Sequence, residues 1–518
     1  MTSPQEVPPA MRSPATPPPT RPQTGQEYLA SLRDGREVWI HGSRVPDVTA
    51  HPAFRGHART VARLYDALHD PALRDVLTVP TDTGSTGATH PFFRVARSVA
   101  ELRTAREAIV AWQRLAFGWL GRSPDYKASF LATLGAAPER YGPFADNARA
   151  WYARAQERVL FFAHALVDPP VDKHLPEGEA PAITVRAERE TDAGVVVTGA
   201  KVVATGAACA QRVFVAHAGP PLTDPAHALA FVAPLDTPGL KVICRPSYEH
   251  AARATGSPFD YPLSSRLDEN DAVLVFDRAF VPWENVLVHR DTDRANAFLH
   301  ESGFLPRFLL HGATRLGVKL DFLSGLVLRA THVTGGDAHG SVRTAVGEVL
   351  AWRHAVWALG SAMVEGAHGT PDGSYLPDTD VAHAHRVLAP TVYRRVRDLV
   401  EDAVGGALCH LPSHAADFGS PELRPFLDTY LRGSHGTTAE ERAKLMKLLW
   451  DAIGSEFAGR HALYERQYAG NWVLNRLDAY DHAHATGLAD RLGGLVDSCM
   501  ADYDLTGWTA PHLAADQP

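Results

Sequence analysis

The spacing of apolar residues changes period twice along the chain, and the changes divide it into three parts. Ahead of them, the first 22 positions carry eight prolines separated by Ser, Thr and Gln. That composition cannot bury enough apolar surface to fold, so residues 1–24 read as a disordered arm. Thr24 followed three residues later by Glu27 is a capping-box pattern, and helical spacing continues through Val61–Leu68, Ser98–Leu120 and Asn147–Leu166. Between about Ala182 and Val288 the apolar residues fall into short β-branched runs, among them Ile183-Thr184-Val185, Gly194-Val195-Val196-Val197 and Ala272-Val273-Leu274-Val275-Phe276. Gly, Pro and Asp bound these runs, as in antiparallel strands joined by turns. Long amphipathic patterns return from Phe304, in Phe308–Leu328, Val342–Val364, Val392–Leu408 and Thr438–Tyr464. The pattern predicts an α+β chain: an N-terminal α-helical domain over 25–165, a middle antiparallel, barrel-like β domain over 166–295, and a helical bundle with a tail over 296–518.

Composition narrows the class without reaching a reaction. A chain of 518 residues with 45% hydrophobic content can bury a large core. A net charge of −8 and a pI near 6.4 argue against nucleic acid or an anionic membrane as partner, since both favour a basic surface, and leave a small molecule as the expected ligand. The four cysteines, Cys209, Cys244, Cys409 and Cys499, are far apart and form neither a disulfide framework nor an iron–sulfur spacing. That usage fits a reducing cytoplasm. No apolar run approaches the ~18 residues of a membrane span, and the N-terminus lacks a signal-peptide core.

The candidate chemistry lies in Gly121-Arg122-Ser123-Pro124-Asp125-Tyr126 and in His164, which follows an aromatic run. A phenol becomes a strong carbon nucleophile when its hydroxyl, of pKa roughly 10, is deprotonated or strongly hydrogen-bonded. His164 can share that proton near neutral pH, Arg122 can hold the oxyanion with directional donors, and Tyr126 adds a neutral hydrogen bond. Other attractive patterns read as structural. His383-x-His385 and His482-x-His484 resemble metal pairs, but helical positions two apart face different ways, so they are expected on the surface and no metal is predicted. Trp352, Trp357 and Trp450 have the spacing of bundle core. Ser264-Ser265-Arg266 is as easily a cap as a ligand site.

Long segments match one family in order: Thr24-Gly25-Gln26-Glu27-Tyr28-Leu29, His51-Pro52-Ala53-Phe54, Thr81-Asp82-Thr83-Gly84, Gly199-Ala200-Lys201-Val202-Val203-Ala204-Thr205, Pro282-Trp283-Glu284-Asn285-Val286 and Trp450-Asp451-Ala452-Ile453-Gly454-Ser455-Glu456-Phe457. Together they make the chain resemble the oxygenase components of 4-hydroxyphenylacetate 3-monooxygenases, over nearly its whole length. The resemblance implies an acyl-CoA dehydrogenase-like fold and a two-component flavin monooxygenase. A separate NAD(P)H:flavin reductase would supply FADH2, which reacts with O2 to a C4a-hydroperoxide that hydroxylates a para-substituted phenol ortho to its hydroxyl. It also implies a homotetramer. By carry-over, Arg122, Tyr126 and His164 are the catalytic residues, and Ser123, Pro124, Asp125, His217 and Ala218 join them around the substrate. The flavin would meet His164, Ala165, Leu166, Pro170, Val171, Asp172, Lys173, Thr205 and Gly454-Ser455-Glu456-Phe457.

The absence of a Gly-x-Gly-x-x-Gly motif agrees with reduction on another protein. One segment departs from the family. In the family, His217–His227 closes over the acid tail of 4-hydroxyphenylacetate; here it reads as short and proline-rich, and proline removes backbone donors that a carboxylate uses. The substrate is therefore either 4-hydroxyphenylacetate or a tyrosine-derived phenol, free or tethered to a carrier protein as in natural-product pathways. Two rival flavin folds stand beside this reading. An acyl-CoA dehydrogenase would need a catalytic carboxylate over the flavin. A 4-hydroxybutyryl-CoA dehydratase-like lyase would need cluster cysteines, which the N-terminal domain lacks.

Overall fold

A computed structural model describes residues 20–170, 174 and 183–514. Most of the arm and the flavin candidates Val171, Asp172 and Lys173 lie outside the described residues. Thr20–Thr24, assigned to the arm by composition, are packed onto the fold: the Ala88 N–H donates to Thr20 O, and Gln23, 1% exposed, exchanges side-chain hydrogen bonds with Gln211. Thr24 caps the first helix, Gly25–Ser31, with the expected reciprocal box to Glu27.

Helices, two β layers and a second group of helices follow in chain order. The larger sheet has six strands in the order Ser43–Val45, Glu37–Ile40, Leu240–Cys244, Ala272–Pro282, Gly194–Lys201, Arg186–Thr191. The smaller has Val286–His289, Leu229–Pro234, Arg212–Val215 and Phe162–Ala165. Between these strands pairing is antiparallel except at two places, Glu37–Ile40 on Leu240–Cys244 and Phe162–Ala165 on Arg212–Val215. Both exceptions are strands from before residue 166 laid on later ones, so the β layers are not the purely antiparallel, self-contained unit that the sequence suggested.

The strand Phe162–Ala165 also corrects the expected helix Asn147–Leu166. The helix runs Ala145–Arg158 and stops at Val159, whose φ is +52°. From Val159 to Ala165 every position but His164 is apolar, which gives period no purchase, and β-branched and aromatic side chains favour the pleated layer. His164 consequently sits in a strand, paired in register with Phe214.

In the C-terminal part the 31-residue helix Phe304–Thr334 packs against Gly340–Glu365 and Thr379–Val404, and also against Val99–Leu115 and Pro124–Ala136. It joins the bundle to the N-terminal helices. The expected Thr438–Tyr464 helix is two, Ala439–Ile453 and Glu456–Gln467, broken where Ser455 caps the second. His385 is fully buried and His383 nearly so, not on the surface as expected, while Trp450 is 38% exposed, not core. Among the described residues, no helix is long and apolar enough to cross a membrane.

Candidate active site

The helix Pro124–Ala136 is almost wholly buried, its polar residues Asp125, Lys127, Ser129 and Thr133 included, the mark of a central helix. Arg122 lies in the turn that leads into it, and Tyr126 in its first helical turn. Glu269 fixes that turn from the β layers: its carboxylate accepts from the N–H groups of Gly121 at 2.8 Å and Arg122 at 2.6 Å. A Cβ on Gly121 would lie 2.3 Å from the Tyr464 hydroxyl, so glycine is what allows that tyrosine to approach. Tyr468 reaches in the same way over Gly312, where a Cβ would sit 1.6 Å from its hydroxyl.

Arg122 is therefore enclosed by aromatic rings. Its guanidinium carbon lies 4.1, 5.1 and 5.3 Å from the ring centres of Tyr126, Tyr464 and Tyr468, a cation–π setting strengthened by desolvation. It donates to the Tyr464 hydroxyl at 3.0 Å and to Tyr468 O at 2.8 Å, which leaves further N–H donors for a ligand. Burial opposes its charge, but the three tyrosines and Glu269 outweigh burial and hold it above its usual range. Burial raises Tyr126, which stays a phenol, and its ring lies 5.8 Å from that of His164.

His164 is half-buried, with Nδ1 3.0 Å from Nζ of Lys127. Desolvation first, reinforced by the Arg122 charge, drives it well below its ordinary pKa, so it is neutral. Lys127 is 0% exposed and also donates to Thr205 O at 3.3 Å. The Thr205 hydroxyl donates to Asp271 at 2.6 Å, and Asp271 is held in turn by Arg245 and Arg460. One connected polar network thus runs from His164, expected on the phenol side, to Thr205, expected on the flavin side.

The remaining candidates divide. Ser123 and Asp125 hold the turn: the Ser123 hydroxyl bonds Asp125, whose other oxygen lies 3.1 Å from Nε2 of the buried His311. Pro124 opens the helix, Ala165 lies in the sheet, Leu166 O accepts from Lys201 at 3.3 Å, and Pro170 is exposed. Gly454 and Ser455 form the break between two bundle helices, and Glu456 and Phe457 open the second; Glu456 is exposed and Phe457 packs on Trp119. His217 donates to Pro220 O at 2.8 Å, while Leu222 exchanges two hydrogen bonds with Asn296, so the proline-rich loop is pinned to the helix Thr292–Glu301. His217 also lines a cavity of about 410 Å³ with Thr133, Tyr141, Arg294, Phe298 and Ser302.

Sequence reasoning missed Lys127, Glu269, Tyr464 and Tyr468. A signal for the first was present. The chain has seven lysines among 51 basic residues, so arginine is its default cation, yet Lys127, Lys201, Lys319 and Lys447 are all buried. Among the described residues, His332, Asp337 and His435 bring ligand atoms within 4.8 Å, but the two imidazoles stack face to face at 4.1 Å, which keeps their in-plane lone pairs from converging on one ion.

The profile described as 4-hydroxyphenylacetate 3-hydroxylase N terminal matches residues 24–288, and its C-terminal counterpart matches 295–497. The chain belongs to the 4-hydroxyphenylacetate 3-hydroxylase family. It is 52% identical to the oxygenase component of a 4-nitrophenol 2-monooxygenase from Rhodococcus sp, over 95% of each chain. It is also 52% identical to the (3S)-3-amino-3-(3-chloro-4-hydroxyphenyl)propanoyl-[peptidyl-carrier protein SgcC2] monooxygenase of Streptomyces globisporus, over 95% of this chain and 94% of that one. A crystal structure of the oxygenase component of 4-hydroxyphenylacetate 3-monooxygenase, complexed with FAD and 4-hydroxyphenylacetate, superposes with a TM-score of 0.86 at 31% identity, covering 92% of this chain and 99% of that one. The family's acyl-CoA dehydrogenase-like fold is the one observed here.

The residues present fit a flavin. Beside Thr205, Asn270 Oδ1 and Arg460 Nη1 are buried and without a hydrogen-bond partner among the described residues. An unmet acceptor and an unmet donor suit the pyrimidine edge of an isoalloxazine, which carries both.

Proposed function

We propose that this chain is the oxygenase component of a two-component, FADH2-dependent monooxygenase that hydroxylates a para-substituted phenol ortho to its hydroxyl. Overall, phenol, O2 and FADH2 give a catechol, water and FAD. A partner NAD(P)H:flavin reductase supplies the FADH2. The observation that carries the reading is the clustering of buried Arg122 and Tyr126 with half-buried His164, the guanidinium 4.1 Å and the imidazole 5.8 Å from the Tyr126 ring centre. Bound reduced FAD, with O2, supplies the electrophilic oxygen atom. The chain's own residues prepare the phenol. His164 Nε2 accepts the phenolic proton, and Arg122 holds the resulting oxyanion, which raises electron density at the ortho carbon. Tyr126 donates to the same oxygen or to the carbonyl that replaces it during transfer. Burial excludes water, which strengthens each contact and protects the oxidant.

The para substituent extends into the 410 Å³ cavity. Thr133, on its wall, lies seven residues beyond Tyr126 on one helix, about 10 Å along the axis. Two arginines on the wall are near acids, Arg294 on Asp291 and Arg140 3.9 Å from Glu301. Among the described residues no cation there is reserved for a free carboxylate, which favours a neutral or extended tail, such as that of a tyrosine-derived or carrier-tethered phenol, over 4-hydroxyphenylacetate.

The chain assembles as a homotetramer. The helices Trp472–Ala485 and Leu488–Met500 expose Leu477, Tyr480, Leu492, Leu495 and Val496, an apolar face of the kind that oligomer contacts cover. The four free cysteines suit a reducing cytoplasm.

The test is oxygen-dependent product formation with NADH, FAD and a free flavin reductase, comparing 4-hydroxyphenylacetate, 4-nitrophenol, tyrosine and a carrier-tethered tyrosine. A catechol that is lost in His164→Ala is expected. Hydrogen peroxide without catechol from any of them sinks the phenol reading.

A further inference from the structure

Four lysines are buried, and three of them have a carboxylate: Lys201 pairs with Asp168 at 2.7 Å, Lys319 with Glu465 at 2.9 Å and Lys447 with Asp260 at 2.6 Å. Lys127 is the exception. Among the described residues its Nζ has two polar partners, His164 Nδ1 at 3.0 Å and Thr205 O at 3.3 Å, and neither carries a negative charge. The acids nearest in effect are committed elsewhere, Glu269 to the Gly121 and Arg122 amides and Asp271 to Arg245, Arg460 and Thr205. Arg122 adds a positive charge on the same turn, and the Tyr126 ring lies 5.8 Å from Nζ. An ammonium without a counter-ion is costly to bury, so the group rests as a neutral amine.

The geometry points to Lys127 as the positioning residue behind His164 that takes up the phenol's proton through the imidazole. In the resting site His164 Nδ1–H donates to the Nζ lone pair, and Nε2 is free to accept from the substrate. On ionisation the phenol O–H bond breaks as Nε2–H forms, and Nδ1–H breaks as Nζ–H forms. The products are a phenolate, a neutral His164 and a Lys127 ammonium. The proton stays inside the protein, the ammonium finally has a counter-charge in the phenolate, and no imidazolium is left beside Arg122. Burial first, then Arg122, hold Lys127 well below the usual lysine range, in keeping with a neutral resting amine. The residue type matters. An arginine could hold the imidazole equally well and is this chain's default cation, but a guanidinium cannot give up its charge to become an acceptor.

This inference rests on the proposed phenol chemistry, and the test separates the two. Flavin-free full-length protein is mixed with 4-nitrophenol, whose phenol and phenolate forms absorb at different wavelengths, at a pH below the probe's own ionisation. Binding is followed by absorbance, and proton release by calorimetry in two buffers of different ionisation enthalpy. The wild type is expected to show the phenolate band, at an intensity that stays level as pH is varied, with no proton released to buffer, because transfer is internal. In Lys127→Arg and Lys127→Met the band should follow pH as an ordinary titration, with about one proton released per phenolate bound. In assays of the complete system kcat should fall more than tenfold with KM changed less than threefold. Release of a full proton by the wild type, which needs no variant to fold, overturns the inference; so does wild-type behaviour in Lys127→Arg. Failure of 4-nitrophenol to bind at all removes this inference and the phenol reading together, whereas catechol formation by a Lys127→Arg protein that matches wild type removes only the role of Lys127.

Discussion

Glu269→Gln tests whether the Arg122 turn is held from a distance. The wild-type carboxylate, 1% exposed, accepts from two adjacent amides at 2.8 and 2.6 Å. Glutamine keeps the shape but presents one carbonyl and one NH2 group, so one backbone N–H meets a donor. Losing a charge-assisted hydrogen bond costs roughly 1.5–3 kcal/mol, and leaving a buried amide unmet costs roughly 1–3 more, about 2.5–6 together. Arg460, whose Nη1 is 3.7 Å from the same carboxylate, loses its attraction as well. The turn relaxes to recover part of this by swinging Gly121 and Arg122 away. If about 2 kcal/mol remains as misplacement of the guanidinium, kcat/KM for the phenol falls roughly 30-fold. The assay is catechol formation at subsaturating substrate with FADH2 supplied in excess, with circular dichroism to establish that the variant is folded. Glu269→Asp, which keeps the charge and loses one methylene, should fall in between. A folded Glu269→Gln protein with kcat/KM within twofold of wild type would refute the argument that this acid positions Arg122.

Three further outcomes follow from the geometry. Tyr464→Phe removes a hydroxyl that accepts from Arg122 and donates to Gly121 O at 3.1 Å; kcat/KM should drop roughly tenfold at the lower end of about 1.5–3 kcal/mol for a hydrogen bond to a charged group, measured in the same assay. Glu249 is fully buried at the start of the helix Arg55–Ala67, and burial, against two backbone N–H bonds, pushes it up to about 7. Because the folded state holds this proton more tightly than the unfolded one, wild-type stability loses ground as pH rises from about 4.5 to about 7. The Tm of Glu249→Gln relative to wild type should therefore climb across that window and level off above it; a difference that is flat with pH counts against the assignment. Leu495→Glu puts a charge on the apolar face of the helix Leu488–Met500, where Leu495 is 73% exposed, and should convert the proposed tetramer to smaller species by light scattering while leaving the far-ultraviolet circular dichroism unchanged.

What could be read in advance depended on how far apart in the chain the deciding contacts lie. The capping box at Thr24 is complete within four residues, and its helix starts where the sequence places it. The segment Gly121–Tyr126 was legible for the same reason, as a run of unusual residue types in one place. His164 could be named but not placed, because the apolar run before it has no period and its strand exists only by pairing with Arg212–Val215. The supports of Arg122 were invisible: Glu269, Tyr464 and Tyr468 stand 147, 342 and 346 residues away. As sequence, Tyr464 is one more amphipathic helix position, and only the close passage over Gly121 gives its hydroxyl a task. Lys127 is the instructive case, since it adjoins a residue already singled out. A lysine after a tyrosine at a helix start means nothing by itself, because lysines usually face water. In a chain that uses arginine wherever a fixed charge suffices, however, each lysine marks a place where arginine was not the equivalent choice. At Lys201, Lys319 and Lys447 a carboxylate accounts for it. At Lys127 no acid among the described residues does, and the difference left between the two side chains is that an amine can release its proton and take it back.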